Sequence, residues 1–254
     1  MKVASWNVNS IRVREQQVLD WLEAEKPDVL GLQEIKMPTD DFPVEAFAEV
    51  GYHSAVDGQK TYNGVALLSP VAADNIHCRL PEFEDEQRRA IAGTYNGTRV
   101  INLYVPNGKA VGDEKYEYKL SWLRALSTWV KAELAAHEKV VVMGDFNIAP
   151  DDRDIHDPEE WIGKILCSDA EREALNDLMG LGLTDSFRLF EQEEKLFSWW
   201  DYRAAGFRRN RGLRIDLLLV SAAVKATCTA SRIDKEPRKL ERPSDHAPVI
   251  VEFD

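Results

Sequence analysis

A chain of 254 residues, 44% of them apolar, can bury one sizeable core, and with no Gly-, Ser- or Pro-rich linker it reads as a single domain spanning 1–254. A formal charge of −12 argues, as a total, against a protein that coats nucleic acid with a uniformly basic face. Three scattered cysteines, Cys78, Cys167 and Cys228, show no metal spacing and suit free thiols in a reducing cytoplasm, while no signal-peptide pattern or membrane-length apolar run is evident.

In chain order, Lys2 to Asn9 (KVASWNVN) reads as a strand that delivers Asn7 and Asn9. Ile11, Val13, Val18, Leu19 and Leu22 then mark a helical stripe over 10–26. Residues 28–36 (DVLGLQEIK) form an apolar strand ending on Gln33, Glu34 and Lys36. A short helix is expected over 42–50, with Pro43 in its first turn. Residues 62–69, 90–95 and 98–104 read as strands, the last two joined by Asn96-Gly97, a strong hairpin signal. A long helix over 114–137, a buried strand over 139–144, a polar loop and a helix over 168–181 follow. Residues 213–221 (LRIDLLLVS) read as one strand with Asp216 inside it, and 244–251 (SDHAPVIV) as a strand with Asp245-His246 at its entrance. The two strands that end on Asn7-x-Asn9 and Asp145-x-Asn147 suggest two related halves. Sheets packed face to face with helices outside would bring both sets of strand ends to one edge.

The segment KVVVMGDFNIAP, residues 139–150, is the most telling. A buried strand has no reason of its own to present Asp145 and Asn147 on alternate residues at its exit, where both point to the same side. As single residues they could be turn formers, and Asp216 a structural ion pair. Five segments that each bring acids or amides to strand ends call for another explanation. Glu34, Asp145 and Asp245 offer hard oxygens and Asn7 and Asn147 neutral ones, a set for Mg²⁺ or Mn²⁺ rather than zinc. Such a metal, with acids and one histidine, suits phosphodiester hydrolysis. Asp145 would activate water, His246 would bind phosphate or act as acid–base, and Asp216 would orient His246. Tyr104 either donates to a phosphate or leaving oxygen or is a packed aromatic. No Gly-x-Ser-x-Gly elbow supports a serine hydrolase. Against the acidic total, 202–214 (YRAAGFRRNRGLR) holds five arginines and no acid, and FSWWDYR over 197–203 adds aromatics that could stack on bases.

With SWNVNSIR, PDVLGLQEIK, GQKTYNGVALLS, the QRR of 87–89, NLYVPNG, MGDFNIAP, FSWWDYR, NRGLRIDLLLVS and PSDHAP, the chain resembles the exonuclease III type of the endonuclease/exonuclease/phosphatase superfamily almost end to end. The resemblance implies an α/β fold, a four-layer αββα sandwich, working as a monomer on double-stranded DNA with 3′ ends, nicks or abasic sites. It also implies Mg²⁺- or Mn²⁺-dependent phosphodiester cleavage. By motif, Glu34 resembles the main metal ligand, with Asn7 and Asp245 close by, and Asp145 the residue that activates water. Asn147 resembles the amide that steadies the phosphate, Tyr104 the site tyrosine, Asp216 the acid beside the leaving group or histidine, and His246 the phosphate histidine. Asp145 and Asn147 count among the metal-site residues as well. DNA contacts are expected from Arg89, Asn107, Trp199, Arg203, Arg208, Arg209 and Arg211. The same residues also fit a phosphatase or phosphodiesterase acting on inositol phosphates or sphingomyelin, and a binding module would be expected to have lost a site residue. The segment 149–173 is shorter and more acidic than its usual counterpart, crowding Asp151, Asp152, Asp154, Asp157 and Glu159. That predicts a weakened duplex grip, and bulky Leu166 a narrowed pocket for a base-free sugar.

Overall fold

The computed structural model describes residues 1–254. Strand β1 (Lys2–Asn7) leads through helix α1 (Ile11–Glu25) to a parallel strand β2 (Val29–Gln33). Helix α2 (Val44–Glu49) and strands β3 (His53–Asp57), β4 (Val65–Ser69) and β5 (Asp74–Cys78) follow. Strands β6 (Ala90–Tyr95) and β7 (Thr98–Tyr104) form the Asn96-Gly97 hairpin, Asn96 and Gly97 both having positive φ. Helix α3 (Glu114–Ala136), capped by Asp113 on the Lys115 N–H, crosses to β8 (Lys139–Asp145), which pairs parallel with β7. Then come α4 (Pro158–Trp161), α5 (Asp169–Gly180), β9 (Thr184–Asp185), β10 (Trp199–Trp200), β11 (Gly212–Leu213), β12 (Asp216–Val220), α6 (Ala222–Thr227), β13 (Cys228–Ile233) and β14 (Val249–Phe253).

Two six-stranded sheets result, in the orders β13-β14-β1-β2-β4-β3 and β5-β6-β7-β8-β12-β9. Each centres on a parallel pair joined by a helix, β1-α1-β2 and β7-α3-β8, flanked by antiparallel strands. The two related halves expected from the sequence are therefore present. Strand alternation sorts each strand between two apolar layers. Ala4, Trp6, Leu30 and Leu32 pack outward on α1, whereas Val3, Val29, Val141, Met143 and Leu218 pack inward between the sheets. Val140, Val142, Leu217 and Leu219 face α3 and α5 on the other outer side. The four layers of an αββα sandwich follow. No helix is long and apolar enough to cross a membrane.

Two strands differ from expectation. Residues 213–221 do not form one strand, because Arg214 turns inward to bond the carboxylates of Asp154 (2.6 Å) and Asp185 (2.7 Å). The chain breaks there into β11 and β12, and Asp216 opens β12 instead of lying mid-strand. Asp245 and His246 precede β14 in a loop, tied to β10 by a bridge between Trp199 and His246.

Gly144 explains the break in the valine run. Its φ is +143°, and a Cβ there would lie 1.9 Å from the Leu103 carbonyl oxygen on the paired strand. Replacing Gly144 with alanine is expected to cost at least about 2 kcal/mol, from backbone strain plus the clash. Urea denaturation would read this as a lowered midpoint; an unchanged midpoint would show that the β7–β8 contact yields freely.

Candidate active site

The inward-facing positions of the central strands run out of apolar residues at one edge, and the site is what replaces them. On β1, Val3 and Ser5 continue to Asn7; on β8, Val141 and Met143 continue to Asp145; on β12, Leu218 gives way to Asp216, which pairs in register with Asp145. Below this edge a polar ladder crosses the core. Gln33 Nε2 donates to Ser5 Oγ (2.9 Å) and Asn102 Oδ1 (2.5 Å), and Asn102 Nδ2 donates to the Leu32 and Ala66 carbonyls. These bonds fix one sheet's height against the other, so residues from both meet reproducibly.

At the centre, His246 Nδ1 donates to Asp216 Oδ2 at 2.9 Å, and its Nε2 lies 3.7 Å from Asp145 Oδ2. All three are buried. Ser198, fully buried, orients Asp216 through a 2.6 Å hydrogen bond to Oδ2. Burial pushes the Asp145 carboxyl up to about 7, although the adjoining His246 works against it. Burial opposes the His246 imidazolium, but Asp216 and then Asp145 outweigh it and raise that ring to about 10. Near neutral pH the imidazole is thus charged, and Asp145 stands close to its proton-transfer point.

Asn7 Nδ2 donates to Glu34 Oε1 and to Asp145 Oδ2, both at 2.9 Å. Its Oδ1 accepts from the Asn9 backbone N–H, which fixes the amide's orientation. Asn7 therefore turns nitrogen, not the oxygen expected of a metal ligand, toward the acids. Asn147 donates backbone N–H to Asp145 Oδ1 (2.9 Å), and its own Oδ1 accepts from Asn107 Nδ2 (3.1 Å). Ligand atoms of Glu34, Asp145 and His246 fall within 4.8 Å of one another. Asp245 is not in that group: its oxygens accept from Asn9 Nδ2 (2.9 Å) and Trp199 Nε1 (3.0 Å). Burial raises the Asp245 carboxyl, but His246 and these bonds overcome it, leaving it lowered. Two carboxylates bearing hard oxygens, with Asp245 next to them, fit a divalent cation of the Mg²⁺ kind. Lys36, with no role expected of it, places Nζ 3.0 Å from Glu34 Oε2 and 2.6 Å from Asn9 Oδ1, so this corner already attracts a cation. Asn9, Glu34, Lys36 and Asn147 all have φ between +44° and +53°, a concentration of left-handed non-glycine backbone at the site.

The periphery is less uniform. Arg89 lies over the Tyr104 ring (4.6 Å) and donates to the Tyr104 carbonyl, so it braces that tyrosine. Burial raises the Tyr104 phenol well above its ordinary value. In the arginine run, Arg203, Arg208 and Arg209 are exposed, but Arg211 pairs with Glu160 at 2.5 Å and Arg214 is a core residue. The acidic segment is correspondingly neutralised. Asp151 pairs with Arg153, Asp152 with Arg172, and buried Asp154 with Arg188 and Arg214. It is not the repulsive loop that its composition implies. Leu166 is buried among Ala149, Ile155, Leu213 and Ile215, with Trp199 against the same cluster.

A buried Asp–His–Asp chain beside a glutamate, at the open edge of an αββα sandwich, defines a phosphoester hydrolase of the metal-dependent kind. The sequence matches the profile of the Endonuclease/Exonuclease/phosphatase family over residues 4–246, and the chain belongs to that family. It is 39% identical to exodeoxyribonuclease III of Haemophilus influenzae across the full length of both. Among solved structures it is similar to the 3′ phosphatase NExo from Neisseria bound to a product DNA hairpin, with 49% identity, a TM-score of 0.98, and 100% and 99% of the two chains covered. An AP endonuclease from Archaeoglobus fulgidus is similar at 35% identity and a TM-score of 0.96, over 100% of this chain and 99% of that one.

Removing the Asp216 carboxylate should uncouple the histidine. With Asp216→Asn, the main influence raising His246 is gone, so its pKa falls from about 10 toward its ordinary value. The high-pH limb of the kcat/KM profile should move down by at least about one unit, and the low-pH limb, set by deprotonation of Asp145 at or below about 7, should move down with it, because the Asp216 charge also raises Asp145. A high-pH limb that stays in place would assign that limb to another group.

Proposed function

We propose that the chain is a Mg²⁺- or Mn²⁺-dependent DNA repair hydrolase that processes 3′ ends of double-stranded DNA, removing nucleotides and 3′-phosphates. The carrying observation is the pair formed by Asp145 and His246, held 3.7 Å apart with opposite protonation demands and locked by Asp216. The resemblance to an exodeoxyribonuclease and to a 3′ phosphatase supports the choice of DNA over a small phosphoester. Exposed Arg203, Arg208 and Arg209, in the segment between β10 and β11, support it further.

Both activities break the same P–O3′ bond, so one site serves both. Asp145 accepts a proton from the attacking water, its lone pairs aimed by Asn7 and by the Asn147 N–H. Imidazolium His246, its Nδ1 proton on Asp216, offers the Nε2 proton to a phosphate oxygen. Asn147 and Asn107 steady the phosphate, and Tyr104, whose phenol stays protonated, donates to a phosphate or leaving oxygen. Glu34, with Asp145 and neighbouring Asp245, would hold the cation, which when bound neutralises charge on the phosphate and the leaving oxygen. Arg89 acts from behind Tyr104, and Arg203, Arg208 and Arg209 contact the duplex backbone. Trp199 borders the nucleotide pocket. A monomer in the cytoplasm, the compartment that suits three free thiols, completes this reading.

Removal at a 3′ end is proposed to exceed incision at an internal abasic site. The acidic segment does not carry this ordering, since its carboxylates are paired. Leu166 supports it instead: it belongs to the buried cluster on which Trp199 packs, where its bulk would narrow a pocket for a base-free sugar. The test compares initial rates on a recessed 3′ end, a 3′-phosphate and an internal abasic analogue, with an inositol phosphate alongside. EDTA should abolish all turnover and Mg²⁺ or Mn²⁺ restore it; full activity in EDTA would sink the mechanism. An abasic rate at or above the 3′-end rate would reverse the ordering and leave the hydrolase intact.

Asp145→Asn is expected to lower turnover at least about a hundredfold with DNA binding largely kept, as for the loss of a general base. A loss of only a few-fold would move that role to His246.

A further inference from the structure

Lys119 and Glu171 form an ion pair with both side chains fully shielded from solvent. Their location is not accounted for by the hydrolytic chemistry, and stability alone does not call for it, because a well-packed apolar pair serves a core as well or better. Where the pair's other bonds go is informative. Lys119 Nζ, from the second turn of α3, donates to the Asn147 carbonyl at 2.7 Å and the Asn107 carbonyl at 3.2 Å; its third proton goes to Glu171 Oε1. All three donors of the ammonium are used.

Glu171 opens α5 as the fourth residue of a Ser168-x-x-Glu171 capping box. Its Oε2 accepts from the Ser168 N–H (3.1 Å) and hydroxyl (2.6 Å), and its Oε1 accepts from the Leu166 N–H at 3.1 Å as well as from Lys119. The box that starts the helix is thus also the far end of the lysine's grip. Two of the residues held this way are backbone exceptions. Asn147 has φ +50° and Leu166 φ +72°, the latter unusual for a branched side chain. Asn147 lies beyond the end of β8, so its carbonyl has left the sheet ladder, and Lys119 supplies the donor. The Ala149 N–H closes the ring by donating to the Leu166 carbonyl at 2.8 Å.

We propose that Lys119 is a positioning residue for this site. With Glu171 it clasps three loops, at Asn107, Asn147 and Leu166–Ser168, into one arrangement, so that the phosphate-binding amides and the segment shaping the nucleotide pocket are set together. Lys119 touches no reacting atom. It acts through the peptide carbonyls that decide where the Asn107 and Asn147 side chains point. The proposal rests on the reading of Asn147 as a phosphate-steadying amide.

The experiment is a double-mutant cycle on the full chain, with a 3′-phosphate duplex in Mg²⁺ buffer, well below every variant's melting temperature. Lys119→Met should lower kcat about tenfold or more while KM for the duplex stays within about threefold, the pattern of a lost transition-state alignment. In an Asn147→Ala background the same change should cost no more than about twofold, because the group it positions is gone. Leu178→Ala, in the helix of Glu171 but away from the clasp, controls for lost stability and should leave kcat near the parent value. If Lys119→Met does not fold, Lys119→Met combined with Glu171→Gln leaves no lone buried charge and carries the same comparison. Equal losses from Lys119→Met in both backgrounds, or a kcat loss matched by Leu178→Ala, would overturn the clasp. If Asn147→Ala itself leaves kcat unchanged, the reading of Asn147 fails, which is a separate result from additivity.

Discussion

Charge at the mouth of a dry slot is the constraint on which this structure depends. The space between the sheets is lined by Val3, Val29, Val141, Met143 and Leu218, and a carboxylate placed just beyond them has little water to stabilise it. Asp145, Asp216 and His246 meet that constraint jointly. One imidazolium set between two carboxylates offsets part of their charge: both acids raise His246 against its burial, and His246 works against the burial that raises Asp145. The remaining groups around Asp145 are amides, Asn7 and Asn147, which supply directed hydrogen bonds without further charge. A second acid, Glu34, is admitted only at the more open edge, where the Lys36 ammonium answers it.

Repetition of one unit explains why so many strands end at the same place. Each sheet has a parallel pair joined by a helix, and parallel strands necessarily finish at the same edge. Facing two such pairs across the slot brings Asn7 and Glu34 from one sheet against Tyr104 and Asp145 from the other. The chain must then leave the edge sharply. The positive φ values of Asn9, Glu34, Lys36 and Asn147 mark those departures, each costing on the order of 1 kcal/mol that the surrounding hydrogen bonds offset.

Much of this was legible in the sequence, for local reasons. Period-two alternation identifies Asp145 as inward-facing once Val141 and Met143 are buried, and Asn96-Gly97 specifies a hairpin by its own backbone preference. What escaped the sequence depends on distant partners. Nothing near 213–221 reveals that Arg214 will leave the strand for Asp154 and Asp185, because those carboxylates lie far along the chain. Nor does an Asn-x-Asn spacing say which end of the Asn7 amide faces the acids; the Asn9 backbone N–H decides that. Lys119 sits on an otherwise ordinary amphipathic helix, and its buried role follows only from where the loops beside it return.

The same dependence on partners dissolves the conflict between an acidic chain and a polyanionic substrate. A net charge of −12 counts every carboxylate as though it faced outward. Asp154 and Glu171 are buried in ion pairs, Asp151 and Asp152 are matched by neighbouring arginines, and Asp145, Asp216 and Asp245 belong to the site. Pairing removes cations too, since Arg211 and Arg214 are spent on Glu160 and on Asp154 and Asp185. The balance that a phosphate backbone meets is therefore local. Between β10 and β11 it is set by Arg203, Arg208 and Arg209, of which Arg203 is 92% exposed and only loosely held, 3.8 Å from Asp201. Attraction exerted over a screening length of roughly 10 Å responds to that cluster more than to the distant surplus of acid, so an acidic protein can present a basic contact where its chemistry requires one.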